Sequence, residues 1–109
     1  MPAAYKVLGQ SNPSATTLTT LYTVPASTST VVSTIVIANL STSAATFRVA
    51  VRPAGAGIAN QHYLAYDAAV AANDSVFLTL GVSLATTDVV SVYASSANVA
   101  FAAFGSEIT

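Results

Sequence analysis

Apolar and polar residues alternate along most of this chain with a period close to two, the spacing of a strand that buries one face. The clearest stretch is 45–52, where Phe47, Val49 and Val51 fall on one side and Arg48, Ala50 and Arg52 on the other. Residues 75–80 repeat the pattern with Val76, Leu78 and Leu80. Those six apolar residues are the expected core. Over 29–40 both alternation sets are apolar, Val31, Ile35 and Ile37 on one and Val32, Val36 and Leu40 on the other. That arrangement predicts a strand covered on both faces. Residues 61–69 alternate again, setting Leu64 and Tyr66 beside His62.

Further strands are expected over 5–10, 17–24, 89–94 and 99–108, rich in Val, Thr, Tyr and Phe. Turn-forming clusters separate them. Ser11-Asn12-Pro13-Ser14, Pro25, Ser41-Thr42-Ser43-Ala44, Pro53-Ala54-Gly55-Ala56-Gly57, Ala71-Ala72-Asn73-Asp74, Ala85-Thr86-Thr87-Asp88 and Ser95-Ser96-Ala97-Asn98 punctuate the chain at near-regular intervals. No stretch shows a convincing helical period; the alanines of 65–72 are interleaved with Tyr, Asp and Val. Seven or eight short strands of this kind predict one all-β domain over 1–109, an antiparallel two-sheet sandwich of jelly-roll or immunoglobulin type. Residues 1–4 are expected to be a flexible N-terminus.

Composition changes the picture in one respect. Only 6% of the 109 residues are Asp, Glu, Lys or Arg, against roughly 25% in a typical soluble protein. Between Lys6 and Arg48 the one ionisable side chain is Tyr22. The polar surface must then be Ser, Thr, Asn and Gln, groups that lose water at less cost than charges do. A formal charge of −1 also gives little colloidal protection to a free domain. Both features suit a protein that works inside an assembly.

A hydrophobic fraction of 53% does not predict a membrane protein. Ser and Thr interrupt every apolar stretch, and a spanning helix needs about 20 apolar residues in a row. The strands are too few and too short for an outer-membrane barrel. The start Met1-Pro2-Ala3-Ala4-Tyr5-Lys6 lacks the basic and apolar segments of a signal peptide. With no cysteine, disulfides and thiolate metal sites are excluded.

Candidate chemistry is sparse. His62 is the one histidine, and with Asp67 and a serine it could be drawn as a triad. A triad needs an oriented base at a positioned nucleophile, and a half-exposed strand histidine near Tyr66 is the better expectation. Asp67, Asp74 and Asp88 lack the spacing of a calcium loop, and Asp74 and Asp88, after Asn73 and Thr87, read as turn-capping residues. Gly55-Ala56-Gly57 has no lysine or helix after it, so it reads as a loop tip and not a phosphate cradle. Asn39-Leu40-Ser41 and Asn73-Asp74-Ser75 match the glycosylation triplet by chance in a chain with no secretion signal. Three basic residues cannot form a nucleic-acid groove. Arg48 and Arg52 are expected to pair with Asp67 or Glu107, within or between chains, so that Arg48, Arg52 and Asp67 fix the register of an interface. No catalytic residue, cofactor or metal is expected.

The order of several segments carries a resemblance. Tyr5-Lys6-Val7-Leu8-Gly9-Gln10-Ser11, Leu21-Tyr22-Thr23-Val24-Pro25, Phe47-Arg48-Val49-Ala50-Val51-Arg52-Pro53-Ala54-Gly55, His62-Tyr63-Leu64-Ala65-Tyr66-Asp67, Ala72-Asn73-Asp74-Ser75 and Phe104-Gly105-Ser106-Glu107-Ile108 together span almost the whole chain. Taken in sequence, they resemble small virion structural proteins of tailed phages, including those infecting cyanobacteria. The resemblance implies a non-enzymatic β-sandwich displayed on a virus particle, assembled in the host cytoplasm, oligomeric, and in contact with other virion proteins. A capsid decoration (cement) protein is the first expectation. A tail, neck or fibre component that binds a receptor or glycan, with Tyr63, Tyr66 and Tyr93 available for stacking, is the second.

Overall fold

The computed structural model describes residues 3–109. Eight strands occupy most of them: β1 (Ala3–Ser11), β2 (Thr19–Thr23), β3 (Ser29–Asn39), β4 (Ala45–Arg52), β5 (Tyr63–Val70), β6 (Ser75–Leu84), β7 (Val89–Ala94) and β8 (Val99–Ile108). Two 3-10 turns, Pro53–Gly55 and Asn60–His62, lie in the β4–β5 connection. Among the described residues no helix is long and apolar enough to cross a membrane.

The strands form two antiparallel sheets in the orders β1-β8-β3-β6 and β2-β7-β4-β5. Every connection except β4–β5 carries the chain from one sheet to the other. This winding is the jelly roll, one of the two sandwiches the strand pattern allows. Pro13, Pro25 and Pro53 all fall in connections, where a residue without an N–H breaks no ladder.

The core lies between the sheets. Phe47 and Val49 of β4, Val90 and Val92 of β7 and Leu21 of β2 face Ile35 and Ile37 of β3 and Val99, Phe101 and Ala103 of β8, all buried. The rings of Phe47 and Phe101 meet edge to face across the interface at 6.4 Å and 70°, a geometry the aromatic quadrupole favours. Of the expected core, Phe47 and Val49 are central, while Val51, Val76 and Leu78 pack against its margin, partly buried.

Leu80 is a correction: it is 41% exposed. In the β3–β6 pairing Val32 faces Val82 and Thr34 faces Thr79, so Leu80 and Gly81 together oppose Ser33. The extra residue makes a bulge, with Gly81 at φ +66, and it turns Leu80 out of the inward row. Val82 and Leu84 then resume the inward face. Neighbouring irregularities occur at Ser33 against β8 and at Leu8 of β1. Irregularities in β1, β3 and β6 therefore line up near the middle of one sheet, while β8 runs through it without an extra residue.

The same phase change corrects the reading of β3. Its buried residues are Thr30 and Val32 before Ser33, and Ile35, Ile37 and Asn39 after it. Apolar residues sit on both alternation sets partly because the inward set switches at the bulge. The remainder, Val31 and Val36, point outward from a sheet that is covered on one face only. Leu40 lies beyond the strand, 63% exposed.

His62 is not a half-exposed strand residue. It is buried in the turn that precedes β5, where its Nδ1 accepts the Ala59 N–H at 3.1 Å. In the segment expected to be a flexible end, Ala3 and Ala4 pair with Ile108 and Glu107; residues 1 and 2 lie outside the described residues.

Candidate functional site

The two outer faces of the sandwich differ in chemistry. On the first sheet, the outward rows read Tyr5–Ser106–Val31–Ser83, Val7–Phe104–Thr34–Thr79 and Gln10–Ala102–Val36–Phe77 across β1, β8, β3 and β6. Ala38 and Ala100 extend them at one end. None of these side chains is charged at neutral pH. Tyr5 is 87% exposed, Phe77 66% and Val7 48%. Two shallow hollows indent the face, one of about 400 Å3 between Gln10, Val36 and Ala102 and one of about 250 Å3 between Tyr5, Val31 and Ser106. The Val7–Phe104–Thr34 row lies between them.

The charged side chains sit elsewhere. Lys6 and Glu107 belong to the inward-facing rows of Val32 and Thr30 at one end of the sheet, and Lys6 Nζ donates to Glu107 Oε1 at 2.8 Å. Tyr22 Oη donates to the other carboxylate oxygen at 2.5 Å. With its one proton so used, Tyr22 Oη accepts from Thr30 Oγ1 at 2.8 Å. Lys6 first, then Tyr22, hold the Glu107 carboxyl below its usual range. Burial, with the hydrogen bond to Glu107, pushes the Tyr22 phenol up to about 12. This cluster ties β1, β2, β3 and β8 together. Within the chain the cation on Glu107 is Lys6 and not an arginine.

The outer face of the second sheet carries Arg48, Arg52 and Asp67. Arg48 Nε and Nη2 donate to the two Asp67 oxygens at 2.7 and 3.2 Å. The guanidinium lies between two rings, its Cζ 4.1 Å from the centroids of both Tyr66 and Tyr93. Local backbone geometry makes this possible. Phe47 pairs with Ala68 and Val49 with Ala65, so Tyr66 and Asp67 together oppose Arg48. Asp67 adopts φ +51 at this bulge, a conformation Asp tolerates better than most residues. The hydrogen-bonded guanidinium keeps the Asp67 carboxyl below its usual range.

Arg52 does not join that pair. Its Nε donates to Ser91 Oγ at 3.1 Å and its Nη1 to the Ala56 carbonyl at 3.0 Å, which fastens the β4–β5 loop to the sheet. The other aspartates act locally, as their turn positions predict. Asp88 accepts from the Ala54 and Ala85 N–H groups, both at 2.9 Å, and Asp74 from that of Ser75 at 2.8 Å. Asn39, of the first glycosylation triplet, is buried and donates to the Ser43 carbonyl at 2.8 Å. Among the described residues no three His, Asp or Glu side chains come together, and no buried side-chain polar atom lacks a partner.

Sequence reasoning missed the uncharged face. Its signal was present in Val76-Phe77-Leu78 and Phe101-Ala102-Ala103-Phe104, where an apolar residue breaks the alternation on the side taken to be polar. It also missed the Tyr22–Glu107 cluster, whose members lie 85 positions apart and leave no local pattern. Comparison with protein-family profiles, curated proteins and solved structures gives no match.

Proposed function

We propose that this chain is a non-enzymatic structural protein of a phage particle, a capsid decoration protein that stabilises the shell through protein–protein contacts. The observation that carries the reading is the outer face of the first sheet. Four strands present Tyr5, Val7, Val31, Val36, Phe77 and Phe104 with no charge among them. Exposed apolar patches of this kind mark contact surfaces, and neutral polar neighbours such as Thr34 and Ser106 add little desolvation cost. The ordered resemblance to small virion proteins supports the same reading. So, by fold-level analogy alone, does the jelly roll, an architecture of viral capsid domains.

In this reading the uncharged face lies against the capsid lattice, and the ion-paired face of the second sheet points away from it. Open edges at β1 and β6 offer further backbone contacts to neighbouring copies. The decisive experiment is the copy number per particle, together with sedimentation of particles through a salt series. Hundreds of copies, retained at high salt, are expected, because screening weakens exposed ion pairs and leaves apolar contacts intact. A dozen copies or fewer would place the chain in the tail or neck. Release at moderate salt would refute attachment through the uncharged face.

A further inference from the structure

On the outer side of the second sheet, Asn60, Tyr63 and Tyr66 line an open hollow of about 370 Å3, and we infer that it is a binding site for a neutral sugar ring. The site is built by local geometry. Three residues apart in a regular strand, Tyr63 and Tyr66 would point to opposite faces. In β5 the pairings Ala50–Tyr63 and Val49–Ala65 leave Leu64 as an extra residue, and that irregularity brings both rings to the outer side. They meet at 85° with centroids 4.8 Å apart. Asn60 stands at the mouth of the strand, exposed, in the turn anchored from below by buried His62.

The walls are held in place. The Tyr66 ring stacks on the Arg48 guanidinium, which is fixed by Asp67 and by Tyr93 on its other side. A ring so fixed loses little freedom when a ligand arrives, which favours binding.

The ligand class follows from charge and shape. The cation at this site, Arg48, is already charge-compensated by Asp67, whose two oxygens accept from its Nε and Nη2, so an acidic ligand would have to compete with a carboxylate held in place. Two phenol rings offer apolar surface, their hydroxyls and the Asn60 amide offer donors and acceptors at the rim. A pyranose presents the matching pattern, with C–H groups on its face and hydroxyls around its edge. A proline-rich peptide needs an aromatic-lined groove along which an extended helix can lie. Rings at right angles form a corner instead. The volume is at the small end of ligand pockets, roughly 300–1,000 Å3, as a site for a short stretch of glycan should be.

The site lies on the face opposite to the one assigned to particle attachment, so either inference can fail alone. The test uses the purified, 15N-labelled full chain, free of particles. Maltohexaose, cellohexaose, xylohexaose, mannohexaose and galactohexaose are titrated in separate experiments, with decaproline as the peptide probe. At least one sugar should give saturable amide shifts centred on Asn60, Tyr63 and Tyr66, with none at Val36 or Phe77. Asn60→Ala and Tyr66→Ala should each weaken that binding by about tenfold or more, which corresponds to at least about 1.4 kcal/mol, and Tyr66→Phe should retain most of it. Melting curves check the fold of each variant; should Tyr66→Ala unfold, Asn60→Ala on its exposed turn carries the test. Absence of saturation with every sugar, shifts centred elsewhere, or binding of decaproline in place of the sugars would overturn the inference.

Discussion

Replacing Phe77 separates the role of the uncharged face from the stability of the fold. Phe77 lies on edge strand β6, pairs with Val36 and is 66% exposed. Its ring touches mostly water in the free chain, so Phe77→Ala should change stability by no more than about 0.5 kcal/mol. On a lattice the exposed two thirds of the side chain would be covered. For an aromatic residue of roughly 150–250 Å2, that is about 100–160 Å2 of apolar surface. At about 25 cal/mol per Å2 the contact contributes about 2.5–4 kcal/mol. Affinity per site should then fall about 100- to 1,000-fold.

Phe77→Glu should weaken attachment further, because it buries a carboxylate opposite rows that hold no cation. The assay adds purified variant to particles stripped of the protein and measures bound copies against free concentration. Melting curves of the free variants run in parallel. Leu64→Ala is the control, since Leu64 is also exposed, at 46%, but belongs to β5 of the second sheet. Unchanged binding by both Phe77 variants, or equal losses for Phe77→Ala and Leu64→Ala, would refute the assignment of this face.

Three further predictions concern the fold. Phe101→Ala should cost about 3–5 kcal/mol in urea unfolding, and a double-mutant cycle with Phe47→Ala should give a coupling of about 0.5–1.5 kcal/mol; zero coupling would remove the ring pair as a specific contact. Glu107 has a lowered folded pKa, so its contribution is present above the unfolded value and lost as pH falls through the folded one. Tyr22, raised to about 12, contributes below its unfolded value and loses that contribution as pH rises through about 12. Melting temperatures of Glu107→Gln should therefore show a smaller acid decline than the parent chain, and a steeper one would contradict the cluster. Gly105→Ala should not fold, because a Cβ there would overlap the Val31 carbonyl, whereas Gly57→Ala, with open space around it, should melt like the parent; circular dichroism distinguishes the two.

Strand positions and turn positions were legible in the sequence because both are local: period-two burial marks the strands, and Pro, Gly, Asn and Asp mark their ends. The central pair Phe47 and Val49 could be read for the same reason, since β4 runs from Phe47 to Arg52 against β7 without interruption. Bulges defeated the rest. One inserted residue reverses inward and outward for everything beyond it; Gly81 is a local sign of the insertion in β6, but nothing in Ser33 or Leu64 announces the others. The inward expectation for Leu80 and the doubly covered expectation for β3 both fail for this reason, and the alternation alone would set Tyr63 and Tyr66, grouped as stacking residues, on opposite faces.

Pairings between distant strands were beyond reach for a different reason. The Arg48–Asp67 pair was within reach because the two charges sit on adjacent strands, 19 positions apart. Lys6 and Glu107 meet only because β1 and β8 become neighbours in the jelly-roll winding. The sequence by itself determined a sparsely charged, strand-forming chain with its turns in place. The order β1-β8-β3-β6 and its aligned bulges decided that the uncharged residues would share one outer face, because sheet order, unlike strand propensity, depends on contacts that no short segment contains.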